Sequence, residues 1–272
     1  MKIRHQQVAG YFYPGEKERL KKDISLMLEI SKPEKSFNKI FGIVSPHAGY
    51  LYSGRTSAFV YNLVKDKNYK TVIVISPSHS EYFPGISIYD GDAYETPLGL
   101  VELNHKMIDE LVDDSKIIFK GIQGHKREHA LEVQIPFLQS VLRNFTIVPI
   151  VMGDQSKRFV DELAEKISKV ADESTLVVAS SDMSHFYDSI EADRLDSVVE
   201  KRINAFDFDG LQKDLENHEC EACGGGPIVA MMKAASMKEI NHSQVIKRSD
   251  SGDITGDKSE VVGYLSAVIY QS

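Results

Sequence analysis

The sequence predicts an α/β layered fold, a single domain with a central mixed, largely parallel sheet flanked by helices. Three observations carry the prediction. Short β-branched apolar runs recur along the chain, at Ile40 to Val44, Thr71 to Ile75, Phe145 to Val151 and Thr175 to Ala179, and runs of this kind read as strands buried on both faces. Segments of helical period alternate with them. The first two runs, with the intervening segment, span roughly thirty residues, the size of a βαβ unit with parallel strands.

Two of these runs end alike. Ile40-Phe41-Gly42-Ile43-Val44 stops at Ser45-Pro46 and presents His47; Thr71-Val72-Ile73-Val74-Ile75 stops at Ser76-Pro77 and presents His79 after Ser78. Proline cannot donate to a strand ladder, so each histidine is placed just beyond the carboxyl end of a strand. A parallel crossover returning to the same edge would bring His47 and His79 out side by side, at the edge where open α/β sheets bind ligands.

The remaining elements follow in order. Leu20, Ile24, Met27, Leu28 and Ile30 mark a helix after the aromatic turn Gly10 to Gly15, and Ser53 to Val64 reads as the crossover helix. The turn residues Gly49 to Gly54 are small and aromatic, and with Tyr50 they let backbone approach a ligand. Ile86 to Tyr89 is a strand, Tyr94 to Gly99 an irregular loop, and Asn104 a cap for a helix through Val112. A helix is expected from His129, placing His129 and Glu132 where an otherwise apolar segment enters the core. That pair reads either as part of a site or as a capped helix start with a solvated carboxylate. A helix over Val160 to Val170 precedes the strand Thr175 to Ser180, which delivers Asp182 and His185 to its carboxyl end. A helix from Ala192 to Phe206, a polar connection, and a helix from Ile228 to Ala235 after three glycines come next. A strand at Val245 to Lys247, a loop over Asp250 to Asp257 and a strand from Val261 to Tyr270 close the chain.

Bulk properties bound the function. The 272 residues are 42% apolar, enough for a large core, and no Gly/Ser-rich linker divides them, so one domain over 1–272 is expected. A net charge of −8 argues against nucleic acid or an anionic membrane as partner. No apolar stretch is long enough to span a bilayer, and no signal-peptide pattern opens the sequence, so a cytoplasmic location is expected. Cys220 and Cys223 form the only CxxC, and with no second cysteine pair they read as two reduced thiols at a helix start.

Three strands thus deliver His47, His79 and the Asp182/His185 pair to one edge, and the last loop adds Asp253, with Asp257 its rival. Two neutral imidazoles and a carboxylate with coordination positions left open suit a divalent metal: Fe(II) first, with Zn, Mn or Cu accommodated. His185, its ring held by Asp182, is then placed as acid or base. Ser45, Ser76 and Ser181 lie outside any G-x-S-x-G elbow, and Gly224-Gly225-Gly226 opens a helix without a Walker lysine, so acyl transfer and phosphate binding are disfavoured.

Taken jointly, Ala9-Gly10-Tyr11-Phe12-Tyr13-Pro14, Ser45 to Tyr50, Ser76 to His79, Thr96-Pro97-Leu98-Gly99, Glu128-His129-Ala130-Leu131-Glu132, Ser180 to His185, Cys223 to Ile228, Ser251-Gly252-Asp253 and Val261 to Tyr264 form a specific pattern. It resembles the MEMO family, known in prokaryotes as AmmeMemoRadiSam system protein B. The resemblance implies a fold like that of the class III extradiol dioxygenases, with His47 and His79 at the iron-ligand positions and Asp182 and His185 lining the pocket. Asp253 falls near the position where animal members carry a metal-binding cysteine; a carboxylate there would make the site more dioxygenase-like and less suited to Cu(I). The family's system name implies partnership with an AMME-type protein and a radical SAM enzyme. Two functions follow as expectations: a metal-dependent oxidoreductase, or a non-catalytic module that binds a small anion, peptide or partner through the imidazoles and the Tyr50/Tyr52 loop.

Overall fold

A computed structural model describes residues 1–272. Its elements begin with β1 (Ile3–Arg4), α1 (Lys17–Ile30), β2 (Ile40–Ser45), α2 (Tyr50–Val64), β3 (Thr71–Pro77), β4 (Ile86–Tyr89), β5 (Ala93–Thr96) and β6 (Gly99–Glu102). The middle of the chain forms α3 (His105–Val112), β7 (Ile118–Gly121), α4 (Gln134–Val141), β8 (Thr146–Met152), α5 (Lys157–Val170) and β9 (Thr175–Ser180). The last third contains β10 (His185–Tyr187), α6 (Ser189–Asn204), α7 (Phe208–Glu216), α8 (Gly225–Ser236), β11 (His242–Asp250), α9 (Gly252–Thr255) and β12 (Val261–Tyr270).

The main sheet runs β10-β12-β2-β9-β3-β8-β4-β7, with β11 paired to β12. Its centre, β2-β9-β3-β8, is parallel throughout, and antiparallel pairings at β12 and β4 make the whole sheet mixed. Ile43, Val44, Val72 to Ile75 and Val177 to Ala179 are wholly buried, as two-sided cover by helices requires. The helices α1, α2 and α4 pack together, as do α5, α7 and α8, with α2 and α8 both reaching β2. The α/β class expected from the sequence is the one observed.

The expectation that His47 and His79 leave adjacent strands is corrected: β9 pairs with both β2 and β3 and lies between them. A later strand has entered the sheet between the first two, which no local pattern records. The two histidines therefore flank the end of β9, and the residues beyond Ser180 rise between them.

Smaller departures have local causes. The stretch Tyr94 to Gly99 is a hairpin rather than a loop: β5 and β6 pair about Pro97 and Leu98, Gly99 takes φ +121°, and β1 pairs with β5. Proline and glycine there punctuate a turn between strands. The helix expected from His129 starts only at Gln134: in the turns before it the Glu128 carboxylate accepts from Ala130 N–H, and the Glu132 carboxylate is turned to the Gln7 and Val8 N–H groups of the amino-terminal arm. The supposed polar connection contains α7, capped by Asp207, whose carboxylate accepts from Gly210 N–H at 2.9 Å. Ile30 lies on the exposed side of α1 while Leu20, Ile24, Met27 and Leu28 are buried. The loop from Asp250 folds into the single turn α9. No helix is long and apolar enough to cross a membrane.

Candidate metal centre

His47 is held at the carboxyl ends of β2 and β9 by its backbone and by its ring. Its backbone N–H donates to Asp182 Oδ1 at 2.7 Å, and Ala48 N–H donates to the same oxygen at 3.3 Å. Its ring Nδ1 lies 3.0 Å from Ser180 Oγ. Ser180 gives its one hydroxyl proton to Ala130 O at 2.6 Å and accepts from Gln134 Nε2 at 2.7 Å. The hydroxyl can therefore only accept from the imidazole, so Nδ1 carries the proton and Nε2 presents a bare lone pair.

His79 is fixed in the same way by a different residue. Glu128, fully buried, accepts from His79 backbone N–H at 2.7 Å and faces ring Nδ1 at 2.9 Å. Burial works against its charge, but the bonds from His79 and Ala130 outweigh that and hold its carboxyl below the usual range. An ionised carboxylate only accepts, so Nδ1 is again the protonated nitrogen and Nε2 is free.

The third group is a thiol. Cys223 Sγ sits 3.1 Å from His47 Nε2, accepts from Asp182 N–H at 3.3 Å and lies 3.6 Å from Asp182 O. Ligand atoms of His47, His79 and Cys223 all fall within 4.8 Å of one another. Cys223 reaches this point because Gly224 packs on the end of β9: a Cβ at 224 would stand 2.2 Å from Ser180 O. Only glycine permits that approach of backbone to backbone.

The electrostatics suit ligation. Burial, reinforced by the neighbouring imidazoles of His79, His129 and His185, pushes His47 well below its ordinary value and keeps it neutral. For His79 burial acts the same way, but the hydrogen bond and charge of Glu128 outweigh it and raise the ring. Burial lifts the Asp182 carboxyl to about 7, against the pull of the His47 and Ala48 N–H groups. Burial, with the Asp182 charge beside it, also pushes the Cys223 thiol up. A metal reverses that last effect, since a coordinating thiol is deprotonated. Two imidazoles with oriented Nε2 lone pairs and one thiol within bonding reach of a common point form a fitting divalent-metal donor set.

Two further histidines face the same space. His129 lies 4.7 Å from the His79 ring, 5.5 Å from His47 and 4.7 Å from Phe12, and burial holds it below its ordinary value. His185, on β10, is likewise depressed, first by burial. A cavity of about 450 Å³ is lined by both His185 and Cys223.

Several candidates stand elsewhere. Asp253 is 53% exposed, with Oδ1 on Lys258 Nζ at 2.7 Å and Oδ2 accepting from Asp250 N–H, so it is a surface ion-pair partner, and the group found beside His47 and His79 is Cys223. Asp257 closes its own turn by accepting from Ser259. Glu132, completely buried, is neither a ligand-facing nor a solvated group: it accepts from Gln7 and Val8 N–H and Tyr13 Oη, and pairs with Arg4. Arg4 in turn donates to His125 O and Glu128 O, so this cluster ties the amino-terminal arm to the loop bearing Glu128 and His129. The Tyr50 hydroxyl is spent on Val133 O at 2.6 Å, buried in the wall rather than presented to a ligand. The sequence alone gives Ser180 no role, offers Glu128 only as a neighbour on the polar face with His129 and Glu132, and reads Cys223 as a reduced thiol at a helix start. The Cys-Gly-Gly-Gly run was the available signal, since three glycines before a helix mark backbone approaching something closely.

Comparison with known proteins agrees with the motif pattern. A family model described as Memo-like protein matches residues 4–268. A MEMO1 family protein of Thermoplasma volcanium is 38% identical over 268 residues, covering 98% of both chains. One of Sulfurisphaera tokodaii is 36% identical over 281 residues, covering 97% of this chain and 98% of that protein. One of a Thermotoga species is 33% identical over 279 residues, covering 98% and 99%. A solved structure, of an uncharacterized protein from Escherichia coli K12, covers 74% of this chain and 86% of that one at TM-score 0.46 and 14% identity, too distant to inform the site. Matching the family model over residues 4–268 and relatives at 33–38% identity over nearly all of its length, the chain belongs to the Memo family.

Proposed function

We propose that this chain is a metal-dependent oxidoreductase with a mononuclear centre held by His47 Nε2, His79 Nε2 and the Cys223 thiolate. The observation that carries the reading is the convergence of these three groups within 4.8 Å, each imidazole oriented by a partner on its other nitrogen. A thiolate in place of the expected carboxylate moves the preference from Fe(II) alone toward softer ions such as Cu and Zn, and iron remains compatible. A bound ion would supply Lewis-acid or one-electron chemistry at its open positions.

The chain's own groups do the rest. Glu128 and Ser180 hold the ring tautomers, and the 450 Å³ cavity shelters a substrate beside Cys223. His185, kept neutral by burial at the cavity wall, accepts a substrate proton at a ring nitrogen. Asp182, lifted to about 7, can hold a second proton near neutrality. Partnership with AMME-type and radical SAM proteins is part of this proposal only through the family's system name.

The test is elemental analysis of protein purified without oxygen, wild type beside His47→Ala, His79→Ala and Cys223→Ser. One equivalent of metal in the wild type and its loss in each variant is expected, with oxygen uptake on phenolic and enediol substrates that falls in His185→Ala. Protein that holds no metal from any supplied ion would return the site to a non-catalytic binding module.

A further inference from the structure

The cavity beside Cys223 lies between α7, the start of α8 and β10, and its lining is unevenly charged. Val160, Leu215 and Val229 give it an apolar wall, and Glu216 and Glu221 put two carboxylates on its rim. No lysine or arginine lines it. The buried cation Lys233 on α8 is spent on Asp161 at 2.6 Å, Gln212 at 3.1 Å and Asp209 at 3.3 Å.

A helix that starts at a cavity would ordinarily favour an anion there, through its free N–H groups and dipole. Here those groups are consumed. Gly224 N–H donates to Ser181 Oγ at 2.9 Å, Gly225 N–H to Ala222 O at 3.0 Å and Gly226 N–H to Gln155 Oε1 at 2.8 Å. Pro227 has none. An entering anion would meet two carboxylates with no donor from the helix to offset them. A cation would find acceptors instead: Tyr187 Oη occupies only Oε1 of Glu221, at 2.6 Å, and Gln212 Nε2 occupies only Oε1 of Glu216, at 3.0 Å. One oxygen of each carboxylate stays available.

We propose that this cavity is the substrate pocket of the centre and takes a small molecule bearing a protonated amine on an apolar, ring-sized body. The amine sits against Glu216 and Glu221, the body against Val160, Leu215 and Val229, and the far end faces Cys223. The volume, near the lower end for ligand sites, fits one ring with a short side chain. This inference rests on the metal-centre reading above and specifies its substrate class.

Isothermal titration of phenethylamine and phenylacetate, two ring compounds of similar size and opposite charge, tests it. Both are titrated into wild type and into the Glu216→Gln/Glu221→Gln variant, with metal content measured on the same preparations. Wild type should bind phenethylamine at least about tenfold more tightly than phenylacetate, the gap closing to within about threefold in the variant. Each single Gln variant, read separately, should close part of the gap, which preserves the test should the double variant be unstable. Equal or tighter binding of phenylacetate, a gap unchanged in the variants, or binding of neither compound would overturn the inference. Metal present without charge preference sinks this inference alone; charge preference in protein that holds no metal sinks the oxidoreductase reading alone.

Discussion

Glu128 holds His79 at two points, accepting from its backbone N–H at 2.7 Å and facing its ring Nδ1 at 2.9 Å, and so sets both the position and the tautomer of the imidazole. The same carboxylate accepts from Ala130 N–H, and its own carbonyl is gripped by Arg4. The orientation of His79 Nε2 is thus the product of a chain of contacts that begins in the amino-terminal arm.

Glu128→Gln should therefore weaken metal binding about 10- to 100-fold, because the amide cannot match the anion's hold on Nδ1–H. Competition with a chromophoric chelator measures it. An unchanged affinity would show that Glu128 supports the loop without orienting the ring.

Cys223→Ser and Asp253→Ala should separate cleanly. Removing the thiolate is expected to abolish stoichiometric metal retention through gel filtration, whereas Asp253→Ala, which loses an exposed pairing with Lys258 and a bond from Asp250 N–H, should keep the full complement. Metal loss in the aspartate variant would reinstate the carboxylate as the third ligand.

Metal affinity should rise with pH, and the shifts fix the shape. Burial pushes the Cys223 thiol up, so ligation releases its proton throughout the neutral range and affinity gains about tenfold per pH unit. Glu128 raises His79 above about 6.5, so below that raised value a second proton competes and the slope steepens toward two. His47, depressed by burial, stays neutral and adds nothing until lower pH. Titrations between about pH 6 and 9 check this; a flat profile would mean that neither group ligates.

Glu132→Ala should unfold more readily in urea by about 3–5 kcal/mol, since it leaves Arg4 as an uncompensated buried charge and orphans the Gln7 and Val8 N–H groups. Metal affinity should fall too, through the Arg4 contact to the Glu128 carbonyl. A loss below about 1 kcal/mol would place the arm outside the cooperative fold.

What the sequence determined by itself was local. β-branched runs that end at Ser-Pro announce two-sided strands and their termini, so His47 and His79 are legible as strand-end histidines from the sequence, and Asp182 and His185 are legible as following the buried run that ends at Ser180. What tertiary structure decided was which distant segments meet those ends. The insertion of β9 between β2 and β3, the docking of Gly224 on Ser180 O that brings in Cys223 rather than Asp253, and the burial of Glu132 against Arg4 all depend on contacts between residues far apart in the chain. A short glycine run and an ordinary turn sequence look equally able to supply a ligand until close packing admits one backbone to the strand end and leaves the other in water.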